Sequence, residues 1–110
     1  MADIIEKIEA AVKENKIMIF MKGNRSLPQC GFSAATVAIF DELGVPYATA
    51  DVLSDPELRD AIKRYSNWPT IPQVYIDGKF VGGCDIIREL HETGELEPLV
   101  KAALGANAQQ

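Results

Sequence analysis

Two prolines stand three residues apart in Trp68-Pro69-Thr70-Ile71-Pro72. No regular helix runs through such a segment, because each ring removes a backbone donor and clashes with the preceding turn. After Pro72, the runs Gln73 to Ile76 and Phe80 to Val81 flank Asp77-Gly78. Asp-Gly supplies the positive φ angles of a two-residue loop, so these runs predict a β-hairpin. The chain therefore divides at this proline pair, with a hairpin on its C-terminal side.

Before the prolines, two periodicities alternate. Asp3 to Asn15 carries Ile4, Ile5, Ile8, Ala11 and Val12, the spacing of one helix face. Ile17 to Met21 is a short apolar run between Lys16 and Lys22, which reads as a buried strand. A polar, proline-containing loop covers Gly23 to Gln29. The alanine-rich stretch Gly31 to Leu43 predicts a helix stopped by Gly44. Val45-Pro46 turns the chain into a second strand over Tyr47 to Val52. Ser54-Asp55-Pro56-Glu57 then reads as a helix start, with Ser54 as cap, Pro in the first turn and Glu three residues after the Ser. That helix is expected to run to about Tyr65 and to bury Leu58, Ile62 and Tyr65.

Beyond the hairpin, Gly82-Gly83 breaks the strand, and Asp85 is placed to cap a helix carrying Ile86, Ile87 and Leu90 that stops near Gly94. Glu97 to Leu104 predicts a last short helix, and Gly105 to Gln110 a frayed tail. Strands that alternate with helices imply parallel pairing, and the hairpin adds an antiparallel edge. The expected architecture is α/β: a mixed four-stranded sheet covered by helices, the layout of thioredoxin-like proteins. With 110 residues, nearly half of them apolar, residues 1–110 fit a single domain.

The formal charge of −5 makes nucleic acid a poor partner, since an acidic surface repels phosphates. No apolar run approaches the roughly 20 residues that span a bilayer. Met1-Ala2-Asp3 lacks the basic and apolar regions of a signal peptide. The expectation is a cytoplasmic protein with no membrane partner. Two cysteines, Cys30 and Cys84, do not make the disulfide framework of a small secreted domain. In a reducing compartment they are catalytic, metal-binding or inert.

Cys30 follows a strand and a loop and opens a predicted helix. Backbone N–H groups there lack intrahelical partners, and the helix dipole adds positive potential; both favour thiolate over thiol. Lys22 and Arg25 are near in sequence and are expected to help. The plain alternative is a buried structural cysteine, but a polar loop before a helix is a poor place to bury a thiol. In Cys30-Gly31-Phe32-Ser33 the fourth position of a two-cysteine redox motif is a serine, which cannot resolve a mixed disulfide. A second thiol has to come from Cys84, another chain or a small molecule.

Thr70-Ile71-Pro72 fits a cis peptide before Pro72, which would turn the Ile71 backbone towards an extended peptide; on sequence alone an ordinary trans turn is the default, and only the position opposite Cys30 in this fold favours cis. The N–H groups of Cys84 and Asp85 open a helix and can bind a carboxylate. Asp85 can take a ligand's ammonium group or cap its own helix. Lys22, Arg59 and Lys63 are candidate anchors for a second carboxylate, although surface cations are mostly just solvated. His91, beside Glu92 and without nearby cysteines, reads as a surface residue rather than a ligand.

Together these stretches resemble one family, the monothiol glutaredoxins of the CGFS type. The matching segments are Met21-Lys22-Gly23, Pro28-Gln29-Cys30-Gly31-Phe32-Ser33, Trp68-Pro69-Thr70-Ile71-Pro72-Gln73-Val74-Tyr75 and Gly78-Lys79-Phe80-Val81-Gly82-Gly83-Cys84-Asp85-Ile86. The likeness runs from Ile4 to about Val100. The departure lies mainly at Asn24-Arg25-Ser26-Leu27. The resemblance implies that glutathione lies along the proline segment with its sulfur beside Cys30. Lys22 and Arg59 would hold its glycine carboxylate, Ile71 its backbone, and Cys84 and Asp85 its γ-glutamyl end.

The resemblance also implies a 2Fe–2S cluster bridging a homodimer, with Cys30 of each protomer and two glutathione thiolates as its four ligands. The function expected is that of an iron–sulfur carrier delivering clusters to acceptor proteins, with roles in cluster biogenesis and iron homeostasis. Heterodimers with a BolA-like protein follow from the same resemblance. Two other readings stay open. One is a glutathione-dependent thiol–disulfide oxidoreductase that uses Cys30 alone to remove glutathione from protein cysteines. The other is a regulatory scaffold docking through the apolar surface around Trp68, with a Cys30–Cys84 disulfide as its switch.

Overall fold

The computed structural model describes residues 3–105, so residues 106–110 of the expected tail lie outside the described residues. The elements are α1 (Ile4–Glu14), β1 (Ile17–Met21), α2 (Gly31–Leu43), β2 (Ala48–Asp51), α3 (Pro56–Ser66), β3 (Gln73–Ile76), β4 (Lys79–Gly82), α4 (Cys84–Glu92) and α5 (Leu96–Leu104). The sheet order is β2-β1-β3-β4. β1 pairs parallel with β2 and antiparallel with β3, and β3 with β4 forms the antiparallel hairpin. This is the thioredoxin-like α/β layout that the order of periodicities predicts.

All five residues of β1 are buried. Ile17, Ile19 and Met21 enter one core with Val37, Phe40, Ile87, Leu96 and Val100, from the helices α2, α4 and α5. Met18 and Phe20 face the opposite way and pack with Ile8, Val12, Ala61 and Ile62 of α1 and α3. Side chains alternate across a strand, so a strand covered on both faces must be apolar throughout. That is why the run Ile17 to Met21 is unbroken by polar residues.

The Asp77-Gly78 turn has φ of 54° and 80°, the doubly positive backbone that a hairpin loop of this type needs. α2 stops at Gly44 in the left-handed region, whose N–H donates to the Asp41 carbonyl. Strand and helix limits otherwise differ from the sequence reading by one or two residues at most ends.

Two caps differ from expectation. The α3 cap is Asp55, not Ser54: the Asp55 carboxylate accepts from the Leu58 N–H at 3.2 Å. Ser54 instead donates its hydroxyl to the Asp51 carbonyl at 3.0 Å. At α4, Cys84 is already helical, so the cap position falls on Gly83 and Asp85 lies within the first turn.

The register explains where a site can form. Phe20, near the end of β1, faces Gln73, the start of β3. Val74 faces Gly82, the end of β4. The segment after β1, the segment before β3 and the start of α4 therefore meet at one end of the sheet. Met21 also faces Asp51 at the end of β2, which leads into α3 at the same end.

The cap assignment has a direct test. Asp55→Ala is expected to cost about 1 kcal/mol of stability, the usual worth of an N-cap, and Ser54→Ala distinctly less, measured by urea denaturation. Equal losses would return the cap to Ser54.

Candidate functional site

At that end of the sheet lies an open groove of about 460 Å³, lined by Lys22, Cys30, Phe32, Arg59, Lys63, residues 68–72, and residues 83–86. All six residues singled out from sequence, Lys22, Cys30, Arg59, Ile71, Cys84 and Asp85, contribute to its wall. Lys63, the further candidate anchor, does so too.

Cys30 is the residue before α2, in extended conformation, with its carbonyl accepting the first intrahelical bond from Ala34 at 2.9 Å. Its thiol is partly exposed. The Ser33 N–H does most to lower the thiol pKa below its ordinary value. Burial opposes it, and the Phe32 N–H, the Lys22 ammonium and the Ser33 hydroxyl add to the lowering. No side chain closes a cap hydrogen bond on α2, so the sulfur is stabilised by the field of these converging groups rather than held as a formed cap. The net effect favours a nucleophilic or metal-binding thiolate.

Arg25 does not share in this. Its guanidinium turns away to Asp41, 2.8 Å off, and lies 4.3 Å over the Tyr47 ring. The Tyr47 hydroxyl donates to the same Asp41 oxygen at 2.7 Å. The expectation that Arg25 assists Cys30 is thus corrected: a carboxylate and a ring face on the flank of α2 offer it better partners than the thiol does.

The loop carrying Arg25 is pinned at both ends. Gly23 bridges to Pro28, and the Gln29 N–H donates to the Lys22 carbonyl at 2.9 Å. Asp51 accepts from the Gly23 N–H at 2.9 Å. A Cβ on Gly23 would stand 2.5 Å from the Leu27 carbonyl oxygen, and its φ is +83°, so only glycine fits this crossing.

Ser33 has a role that the sequence reading treated only as a missing thiol. It is fully buried, and its hydroxyl accepts from the Lys22 N–H at 3.1 Å. It ties the end of β1 to the first turn of α2 and so sets Lys22 relative to Cys30. Phe32, next to it, is 59% exposed at the groove mouth. Periodicity could have found it: Ser33, Thr36, Val37 and Phe40 form the buried face of α2, which leaves position 32 outside.

The opposite wall is Trp68 to Pro72. The Ile71–Pro72 bond is cis, the form that its position in the fold favours over the trans default of sequence alone. Trp68 leans on Phe80 with ring centroids 5.7 Å apart and stays 38% exposed. Beside it, with Gly83 against the Pro72 carbonyl, α4 begins at Cys84. That thiol is buried, at 5% exposure, and accepts from the Arg88 guanidinium at 3.5 Å. Both cysteines are free thiols. His91 is not solitary: it approaches Glu42 across α2 and α4 at 3.4 Å, and it is not among the residues that line the groove.

The groove thus has a cationic flank (Lys22, Arg59, Lys63), a partly exposed thiol of lowered pKa (Cys30), an apolar wall and a helix N-terminus. The glutaredoxin family model matches residues 17–81. The chain belongs to the glutaredoxin family. It is 54% identical over 100 residues to a monothiol glutaredoxin (ycf64-like) of Synechocystis, covering 91% of this chain and 94% of the relative. Ser33 in place of a second thiol accords with that one-cysteine branch. Among solved structures, reduced apo GrxS14 of poplar superposes with a TM-score of 0.82 at 42% identity, covering 92% of this chain and 93% of that one. A buckwheat glutaredoxin–glutathione complex gives 0.81 at 28% identity, over 91% and 89%.

The groups that lower the Cys30 pKa also set the pH profile of its reactivity. A lowered pKa means that Cys30 reacts as thiolate at lower pH than a free cysteine does. Removing the Lys22 charge as Lys22→Gln removes one lowering influence, so the midpoint of alkylation rate against pH is expected to move up, more at low than at high salt. An unmoved midpoint would show that the Lys22 charge does not reach the sulfur.

Proposed function

We propose that the chain binds glutathione in this groove and, as a homodimer, carries a 2Fe–2S cluster for delivery to acceptor proteins. The observation that carries the reading is one partly exposed thiol of lowered pKa, Cys30, set in a groove that Lys22, Arg59, Lys63 and the start of α4 also line. Lys22 and Arg59 take the glycine carboxylate. The Ile71 backbone pairs with the extended peptide. The N–H groups of Cys84 and Asp85 take the γ-glutamyl carboxylate, and the Asp85 side chain its ammonium group. Asp85 suits that task because it forms no cap bond at its own helix start. The buckwheat relative's complex with glutathione supports the same choice of ligand.

The cluster is cargo in this reading. Iron–sulfur clusters take thiolate ligands, usually four. Among the described residues, no three or more His, Cys, Asp or Glu side chains stand together as a metal-binding group. Cys30 from each of two chains and two glutathione thiolates complete the set. Two of the four ligands then exchange with solution, which suits transfer rather than storage. The family resemblance adds a heterodimer with a BolA-like protein.

The lowered Cys30 pKa favours one second reading, thiol–disulfide exchange. Here the Cys30 thiolate attacks the glutathione sulfur of a mixed disulfide and the protein thiolate leaves. A second glutathione then releases glutathione disulfide and restores Cys30. Ser33 offers no resolving thiol, so this cycle depends wholly on the second glutathione.

Anaerobic reconstitution with iron, sulfide and glutathione separates the two. The carrier reading expects a visible cluster chromophore eluting as a dimer and lost without glutathione. A colourless monomer that reduces a glutathionylated substrate would replace it with the exchange reading. Cys30→Ser is expected to abolish the chromophore while the far-UV spectrum stays unchanged. Arg59→Ala is expected to weaken glutathione binding more at low than at high ionic strength; an equal loss at both would exclude a charge contact.

A further inference from the structure

The wall from Trp68 to Pro72 lies beyond the ladder of β3 and needs another support. Gln73, the first residue of β3, is fully buried, and the only other buried polar residues are Ser33 and Thr36 among those described. Its side-chain amide spends both donors on the wall and turns its oxygen to the core. Nε2 donates to the Trp68 carbonyl at 3.1 Å and to the Thr70 carbonyl at 3.3 Å. Oε1 accepts from the buried Tyr75 hydroxyl at 3.1 Å. Two carbonyl partners on one side and a hydroxyl donor on the other fix the amide orientation without ambiguity. The Trp68 N–H is held from the far side, by the Lys63 carbonyl at 3.1 Å and the Ser66 hydroxyl at 3.1 Å. The peptide units flanking Trp68 are therefore gripped at both ends.

We infer that Gln73 is the positioning residue of the groove: its amide sets the Trp68–Thr70 arm, and through it the Ile71 backbone, at the distance from Cys30 and α4 that a bound peptide requires. It touches no ligand itself, since it is enclosed. Its backbone faces Phe20 at the end of β1, so the same residue registers the arm to the central strand. An apolar residue at 73 would leave two carbonyls without their donor and let the arm drift, while the buried strand beneath it stayed paired. A buried amide that serves only core packing would have no reason to spend both donors on an exposed arm.

Gln73→Met and Tyr75→Phe separate positioning from packing. Both delete buried hydrogen bonds, but only the first releases the arm. Trp68 is the only tryptophan, so its emission and acrylamide quenching report the arm directly, with or without ligand. Gln73→Met is expected to shift that emission and to raise the glutathione Kd roughly fivefold or more, the effect of one to two lost hydrogen bonds. The pH midpoint of Cys30 alkylation is expected to stay at the wild-type value, and Tyr75→Phe to leave emission and Kd near wild type.

Unchanged emission and Kd in Gln73→Met would overturn the inference. So would an emission shift without loss of affinity, or a loss that Tyr75→Phe matches. The affinity arm rests on the glutathione reading. If the wild-type protein binds no glutathione, that reading fails and the Trp68 signal alone decides the role of Gln73. Should Gln73→Met not fold, the unmodified protein still answers by NMR. Slow hydrogen exchange at the Gln73 side-chain amide, with contacts to Trp68 and Thr70, supports the role; fast exchange excludes it.

Discussion

Strand β1 has no face left for water and no free edge, and the rest of the molecule is arranged by that condition. Its five side chains divide between two cores, each fully buried apolar chain contributing roughly 1.5–3 kcal/mol relative to exposure. A one-residue slip would exchange the two faces entirely, so register is strongly held. β2 runs beside it in the same direction and β3 in the opposite one. A parallel neighbour sends its C-terminal end to the place where β1 ends, and an antiparallel neighbour brings its N-terminal end there. The loop to Cys30, the approach to α3, the proline arm and, through the hairpin, the start of α4 are all delivered to one end of the sheet by this pairing alone.

What converges there is chemically asymmetric. Lys22, Arg59 and Lys63 supply positive charge from the ends of β1 and α3. The start of α4 supplies unpaired N–H groups, and Cys30 sits at the start of another helix whose N–H groups hold its pKa down. Buried polar side chains keep these parts in place: Ser33 ties Lys22 to the first turn of α2, and Gln73 ties Trp68 and Thr70 to β3. Polar groups are costly to bury unless they are satisfied. Ser33 is satisfied by the Lys22 N–H, and Gln73 by the Trp68 and Thr70 carbonyls and the Tyr75 hydroxyl, so the stability of the core and the shape of the site depend on the same contacts.

Much of this was legible from the chain. Gly44, Asp77-Gly78 and the proline pair act through their own backbone preferences, which need no neighbour in space, and each marked its boundary correctly. The apolar run of β1 and the helix faces followed from periodicity. The errors fell where two adjacent residues competed for one role. Ser54 and Asp55 are both good caps, and the choice turned on Ser54 finding the Asp51 carbonyl. Asp85 lost its cap position because α4 begins one residue earlier, at Cys84. Arg25 was read as a neighbour of Cys30 by sequence distance, while its actual partners, Asp41 and Tyr47, lie on the far side of the loop in sequence.

The sequence by itself determined the order and type of the elements, the place of Cys30 at a helix start and the absence of a thiol at position 33, because these depend on local conformation and on residue identity alone. Only the tertiary structure decided which cations face the thiol, which residues cap α3 and α4, and what Ser33 and Gln73 do. Those outcomes depend on distances between segments far apart in the chain, and such distances are set by how β1 registers against its two neighbours.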